Sequence, residues 1–235
     1  LFLPNHPALV DPLIVNVLLQ RQFSVRPLAD RGQAENPVTG FFLNKLNALL
    51  IPDLSQQCNL DHCGDVNDVL QLMEHSLERG GNLLIYPAGR IYRGPNEELG
   101  GSSAVDRLVK AVPGARVVLV RTSGLWGSRF SRAHGESPHF FRTLLAMLPK
   151  LVLNGLIFMP RRRVMVEFME PLDFPRQGSR QEINAYLENF YNEVANPAFT
   201  VPDYFWQGSQ TREIPPLNQS QFAADASHIP ATTRE

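Results

Sequence analysis

Apolar residues are arranged along this chain in two ways, as short unbroken runs and as longer stretches with an apolar position every third or fourth residue. The run at residues 1–3 stops in the turn "PNHPALVDP" and passes into "DPLIVNVLLQRQ", which reads as a helix with Asp11 as candidate N-cap and Pro12 at its first position. A short strand follows around "FSVRPLAD", and "TGFFLNKLNALLIPD" reads as a short helix leading to a strand that stops at Pro52. In "DVNDVLQLMEHSLERGG" the apolar positions Val66, Val69, Leu70, Met73 and Leu77 fall on one helical face, and Gly80 and Gly81 end it. "NLLIYPAGR" is a buried strand running into a turn, "SSAVDRLVKAVPG" a helix and "ARVVLVRTSG" another buried strand. "RVMVEFMEPLDF" supplies a later strand, and "SRQEINAYLENFYNEVA" an amphipathic helix opened by a capping box of Ser179 and Glu182.

Strands alternating with helices predict an α/β fold whose central sheet, largely parallel or mixed, is flanked by helices. Residues 1–195 form one domain on this reading. From Asn196 the pattern breaks into Pro, Gln, Ser and Thr with isolated aromatics, which predicts an extended tail or linker over 196–235. The 235 residues, 43% hydrophobic and 19% charged, suit a globular domain, and a net charge of −1 gives no reason to expect nucleic acid as a partner. Cys58 and Cys63 flank Asp61 and His62, but without a second ligand cluster the pair reads as free thiols in a reducing compartment, with no metal expected. The chain opens a few residues before its first turn and without Met, so any upstream strand or membrane anchor falls outside it.

The first turn holds the candidate chemistry. Five positions along a regular helix rotate the chain by about 140°, so His6 and Asp11 meet only if His6 sits in the turn ahead of the helix. Pro7 and Pro12 favour that, because each disfavours helical geometry in the residue before it. A carboxylate on one imidazole nitrogen would fix the tautomer and leave the other nitrogen to take a proton from a hydroxyl. The plainer reading makes Asp11 a helix cap and His6 a turn residue. No Ser or Cys stands beside His6 as a nucleophile, and no Gly-x-Ser-x-Gly elbow occurs in "RTSGLWG" or "YPAGR".

"NHPALVDP" resembles the first motif of the glycerolipid acyltransferases, the lysophosphatidic acid acyltransferase family, which is Asn-His and, after four intervening residues, Asp. The likeness runs in order along about the first 175 residues: "NALLIPD" stands at the second motif, "LLIYPAGRIYRG" at the third, where the family has Phe-Pro-Glu-Gly-Thr-Arg, "ARVVLVR" at the fourth, and "VEFMEPLDF" at the closing strand. The resemblance implies transfer of a fatty acyl group from a thioester of coenzyme A or acyl-carrier protein to the hydroxyl of a lysophospholipid, with no cofactor. His6 would be the general base and Asp11 its orienter, with Asn5, Pro87, Ala88, Gly89, Arg90 and Arg93 as substrate-binding positions. A lipid-binding module that has lost catalysis is the alternative.

Departures from the family pattern lie in the acceptor motifs. Pro52 and Asp53 stand near the place of the second-motif arginine, Ala88 replaces the third-motif glutamate, and Arg90 is displaced by one position. The Gly-Arg-Ile order resembles the acyltransferase portion of 2-acylglycerophosphoethanolamine acyltransferase/acyl-carrier-protein synthetase fusions, which implies a fused adenylate-forming synthetase domain as a partner. Arg90 and Arg93 either present forks to a phosphate or form a solvated loop pair. Finally, "HFFRTLLAMLPKLVLNGLIFMPRRR" carries long apolar stretches closed by Arg161, Arg162 and Arg163. Pro149 predicts a break into two short segments. They read either as a buried helix pair or as a membrane-surface element with Phe140, Phe141, Leu144 and Leu145 in contact with lipid. The expected location is the cytoplasmic face of the cell membrane, peripherally or through a segment outside this chain.

Overall fold

The apolar runs become strands of one sheet, and in residues 1–3, 83–85 and 117–120 alternate side chains join cores on opposite faces. A computed structural model describes residues 1–30, 48–51, 60–208 and 210–215, and of residues 29, 30, 49–51 and 60–66 it describes the backbone alone. Six described strands, β1 (Phe2–Pro4), β2 (Val25–Asp30), β3 (Leu49–Ile51), β4 (Asn82–Leu84), β5 (Val118–Ser123) and β6 (Met165–Met169), lie in the order β3-β2-β4-β1-β5-β6. The first five are parallel where they pair, and β6 runs antiparallel to β5. The fold is α/β with a mixed sheet flanked by helices, as the alternation predicted.

On one face, Val15 and Leu19 of α1 (Asp11–Gln20) pack with Phe2, Val25, Leu84 and Val120. The other face carries α2 (Leu60–Glu78), α3 (Ala104–Ala111) and α5 (Arg180–Asn192), whose Leu70, Met73, Leu108, Ile183 and Leu187 cover Leu3, Leu83, Ile85 and Leu119. Each such fully buried side chain contributes about 1.5–3 kcal/mol. Ser179 and Glu182 form the expected capping box, the Ser179 amide donating to Glu182 Oε2 at 2.6 Å and the Glu182 amide to Ser179 Oγ at 3.2 Å.

Two local expectations are corrected. Asp11 is not the N-cap of α1: that place is Val10, and Asp11 lies in the first turn with its carboxylate turned back toward residues 6–8. Pro149 does not split the arginine-edged segment, since α4 (Phe140–Leu153) is one helix with Pro149 inside it. Proline's fixed φ is itself helical, so the cost is one missing N–H and crowding of the preceding turn, not an obligatory stop. The turn beyond Pro149 is held from outside, where Lys150 pairs with Asp203 at 2.6 Å and Asn154 donates to the Asp203 carbonyl at 2.9 Å.

Residues 196–208 and 210–215, expected as part of an extended tail, run along the body as a strap. It carries the small antiparallel pair β7 (Phe199–Thr200) and β8 (Arg212–Glu213). Gly127, at φ +84°, lies so close to the backbone of Phe199 that a Cβ there would collide with it. Arg162 closes the contact by donating to the carbonyls of Gly124, Trp126, Gly127 and Phe199. Pro52, Asp53, Cys58 and the side chains of Asp61, His62 and Cys63 lie outside the described residues, and so does the sequence from 216 onward.

Candidate active site

β1 and β4 are neighbours in the sheet, yet the chain leaves β1 into α1 on one face and leaves β4 toward α3 on the other. Such divergence opens a crevice at the carboxyl ends of the two strands, where parallel sheets place their ligands. The turn after β1 delivers Asn5 and His6 there, and the loop after β4 delivers Tyr86 to Leu99.

His6 Nδ1 lies 3.0 Å from Asp11 Oδ2, and the same oxygen accepts the Ala8 amide at 3.1 Å. The first turn of α1 is what folds the carboxylate back under the ring. A carboxylate only accepts, so Nδ1 carries the hydrogen and Nε2 presents its lone pair. The Asp11 side chain is wholly buried, whereas the imidazole is 15% exposed, and Nε2 has no partner among the described residues. Beneath the ring, Tyr86 packs at a centroid distance of 4.6 Å. Burial, and then the neighbouring Asp11 carboxylate, keep the Tyr86 hydroxyl un-ionised well above its ordinary range. By strict geometry neither that hydroxyl nor Asp11 Oδ1 completes a hydrogen bond.

Asn5 is 1% exposed and ties strand ends together. Its Nδ2 donates to the Tyr92 hydroxyl at 2.7 Å and the Thr122 carbonyl at 3.0 Å, while Oδ1 accepts the Thr122 amide at 2.7 Å. Both N–H groups of Asn5, an expected substrate-binding residue, are therefore engaged by protein. A small polar hollow opens beside it between Tyr92, Arg121, Thr122 and Asn192, and His6 does not line it. The loop after β4 grips His6 by its backbone, with the Tyr92 amide donating to the His6 carbonyl at 2.9 Å and the His6 amide to Glu97 Oε2 at 2.7 Å. Glu97 is 3% exposed, and its carboxyl is pushed up to about 8, chiefly by burial.

The other expected residues are placed less uniformly. Pro87 is buried, with its carbonyl accepting Ser102 Oγ, and Ala88 packs against the larger core. Gly89, at φ +63°, donates its amide to the Tyr86 carbonyl at 3.0 Å. Arg90 and Arg93 are exposed on the loop, Arg90 making a long 3.5 Å contact to the Glu98 carbonyl. In α4, Phe140 and Phe141 are half-buried and Leu144 and Leu145 exposed; Arg161 and Arg163 are exposed, but Arg162 is spent on the strap.

No protein-family model matches this chain, and no curated protein does. Among solved structures, the crystal structure of the 1-acyl-sn-glycerophosphate (LPA) acyltransferase PlsC from Thermotoga maritima is similar at 14% identity and a TM-score of 0.49, over 82% of this chain. The chain spans 63% of the length of that protein. At that level one protein's activity does not carry to the other, and the geometry around His6 has to support the functional reading by itself.

Several groups of the site were invisible in the sequence. Glu97 and Glu98 are adjacent acids in a loop, and nothing periodic distinguishes the buried one from the exposed one. Tyr92 and Asn192 become site neighbours only through contacts made across the fold. Arg121 reads as a charge interrupting a strand, yet it is 7% exposed. It is held by Glu167 at 2.6 Å, Glu193 at 2.9 Å and the Phe190 carbonyl at 2.6 Å, with its guanidinium 4.6 Å from the Phe190 ring centroid. These bonds lock β5, β6 and the end of α5 beside the crevice.

Proposed function

We propose that the chain is an acyltransferase that moves a fatty acyl group from a thioester, on coenzyme A or acyl-carrier protein, to the hydroxyl of a lysophospholipid. The observation that carries this is the His6–Asp11 pair, with a wholly buried carboxylate on Nδ1 and an Nε2 that has no partner among the described residues. Nε2 takes the acceptor hydroxyl's proton as its oxygen attacks the thioester carbonyl carbon; the C–S bond breaks, and the imidazolium returns the proton to the departing thiolate. Asp11 supports the imidazolium between those events. The motif likeness in residues 5–11 and 83–94 supports the choice of substrates.

A lipid surface fits the same reading. Leu144, Leu145, Leu148, Val152 and Leu153 of α4 are exposed, and so are Leu156, Ile157 and Phe158 after it. No Asp or Glu occurs between Glu136 and Glu167, whereas Arg142, Arg161 and Arg163 are exposed around this face. An apolar face edged with cations suits an anionic lipid headgroup layer. No helix among the described residues is long and apolar enough to cross a membrane.

A lipid-binding module without turnover is the second reading, favoured by the Gly89 amide being already engaged and by the exposure of Arg90 and Arg93. Turnover separates the two. The acceptor set is argued from charge: with Ala88 in the third motif and a displaced Arg90, a phosphodiester with one negative charge is easier to hold than a doubly charged monoester. When lysophosphatidylethanolamine and lysophosphatidic acid compete in one reaction, with each acyl donor in turn, phosphatidylethanolamine is the expected main product. A clear excess of phosphatidic acid overturns the acceptor assignment, and no product with any acceptor overturns the enzyme reading.

A further inference from the structure

The loop between β4 and α3 holds both backbone polar groups of His6, and only one of those two bonds comes from a side chain. Glu97 Oε2 accepts the His6 amide at 2.7 Å across 91 positions of sequence, from a residue that is 3% exposed. The loop is fixed in turn by α5. The Glu97 amide donates to Asn192 Oδ1 at 2.8 Å, Asn192 Nδ2 donates to the Glu97 carbonyl at 3.0 Å, and the Leu99 amide donates to Glu188 Oε1 at 2.6 Å. A carboxyl clamped on both sides of its own backbone is a rigid stop for the residue it touches. If Nε2 of His6 takes a proton from substrate, its position depends on that stop together with the Tyr92 amide on the His6 carbonyl, because Asp11 fixes the ring's direction only.

We propose that Glu97 is a positioning residue for His6, holding the histidine's backbone amide from the β4–α3 loop so that Nε2 stands at its working place in the crevice. The role rests on the reading of His6 as base. The charged groups that face Glu97 are Asp11 and Glu188, which share its sign, and Arg90, which opposes it; Tyr92 and Tyr191 lie beside it as neutral phenols. Burial and the nearby acids keep the carboxyl protonated up to about pH 8. Below that pH it accepts the His6 amide without adding a second negative charge beside Asp11. Above it, a new charge appears behind the ring.

The test combines proton NMR of His6, assigned by the resonance lost in His6→Ala, with acyl-transfer kinetics on the whole chain. In the unsubstituted protein the His6 ring resonance should report the ionisation of Glu97 as an inflection near pH 8. Glu97→Gln retains an acceptor without the charge, so it should keep kcat near neutral pH and lose that inflection. Glu97→Ala should lower kcat by about 10- to 100-fold with the Michaelis constants little changed. An inflection that survives Glu97→Gln, or is missing from the unsubstituted protein, overturns the proposal; so does full turnover by Glu97→Ala. Should Glu97→Ala fail to fold, Glu97→Gln decides alone. The NMR result does not depend on turnover, so an inactive unsubstituted protein counts against the acyl-transfer reading and leaves the placement of His6 to be judged by its resonance.

Discussion

At the scale of single residues, the site is a division of labour among side chains that each use one geometric advantage. Asp11 lies in the first turn of α1, so the helix holds its carboxylate against His6 Nδ1. Asparagine at position 11 would keep an oxygen for the Ala8 amide and His6 Nδ1 but lack the negative charge that supports the imidazolium. Asp11→Asn is therefore expected to lower kcat about 100-fold or more with little change in melting temperature, since no cap is lost; steady-state kinetics alongside thermal melting checks both halves. Glu97 makes stability depend on pH. Its carboxyl is raised from 4.5 in the free state to about 8 in the fold, so the native protein binds the extra proton between those values. The stabilisation is complete below about pH 4.5 and is lost as pH rises through about 8, with an upper bound near ~5 kcal/mol. Denaturant titrations from pH 5 to 9 should show that decline for the unsubstituted protein, and a much flatter profile for Glu97→Gln.

At the scale of elements, α4 and the strap separate two uses of neighbouring arginines. Arg162 gives its guanidinium to four backbone carbonyls, and burial lowers its pKa to about 10. Arg161 and Arg163, on either side, are exposed. Removing Arg162 leaves those carbonyls to find other donors and should cost about 2–3 kcal/mol, seen as a lower melting temperature. Replacing Arg161 and Arg163 together by Ala should leave melting unchanged and weaken co-sedimentation with anionic vesicles, an effect that rising salt mimics. The elements also show what a local reading of sequence reaches. β1, its turn, α1 and the capping box of α5 were legible because each is decided by residues within a few positions of one another. The His6–Asp11 pair was legible for the same reason. The continuity of α4 through Pro149 was not, because Lys150 and Asn154 are held by Asp203 about fifty positions away. Glu97 was hidden likewise, since its partner lies 91 positions earlier.

At the scale of the molecule, the arrangement of the sheet explains why these residues meet at all. β1 sits between β4 and β5, and the segments that follow β1 and β4 depart to opposite faces, so the ends of those two strands share one crevice. Asn5 bonds the end of β1 to Thr122 of β5, Arg121 fastens β5 to β6 and α5, and α5 steadies the loop that holds His6. The exposed apolar face of α4 lies outside this framework, and none of its residues is fully buried. The framework can therefore keep His6 fixed independently of that apolar face. The central claim is that this histidine carries a proton for acyl transfer. Its most direct test is the rate of acyl transfer from a fatty acyl thioester to lysophosphatidylethanolamine by the unsubstituted chain and by His6→Ala, with circular dichroism and melting confirming that the variant is folded. The account predicts a loss of about 100-fold or more in a folded His6→Ala protein; a folded variant that retains substantial turnover would contradict it.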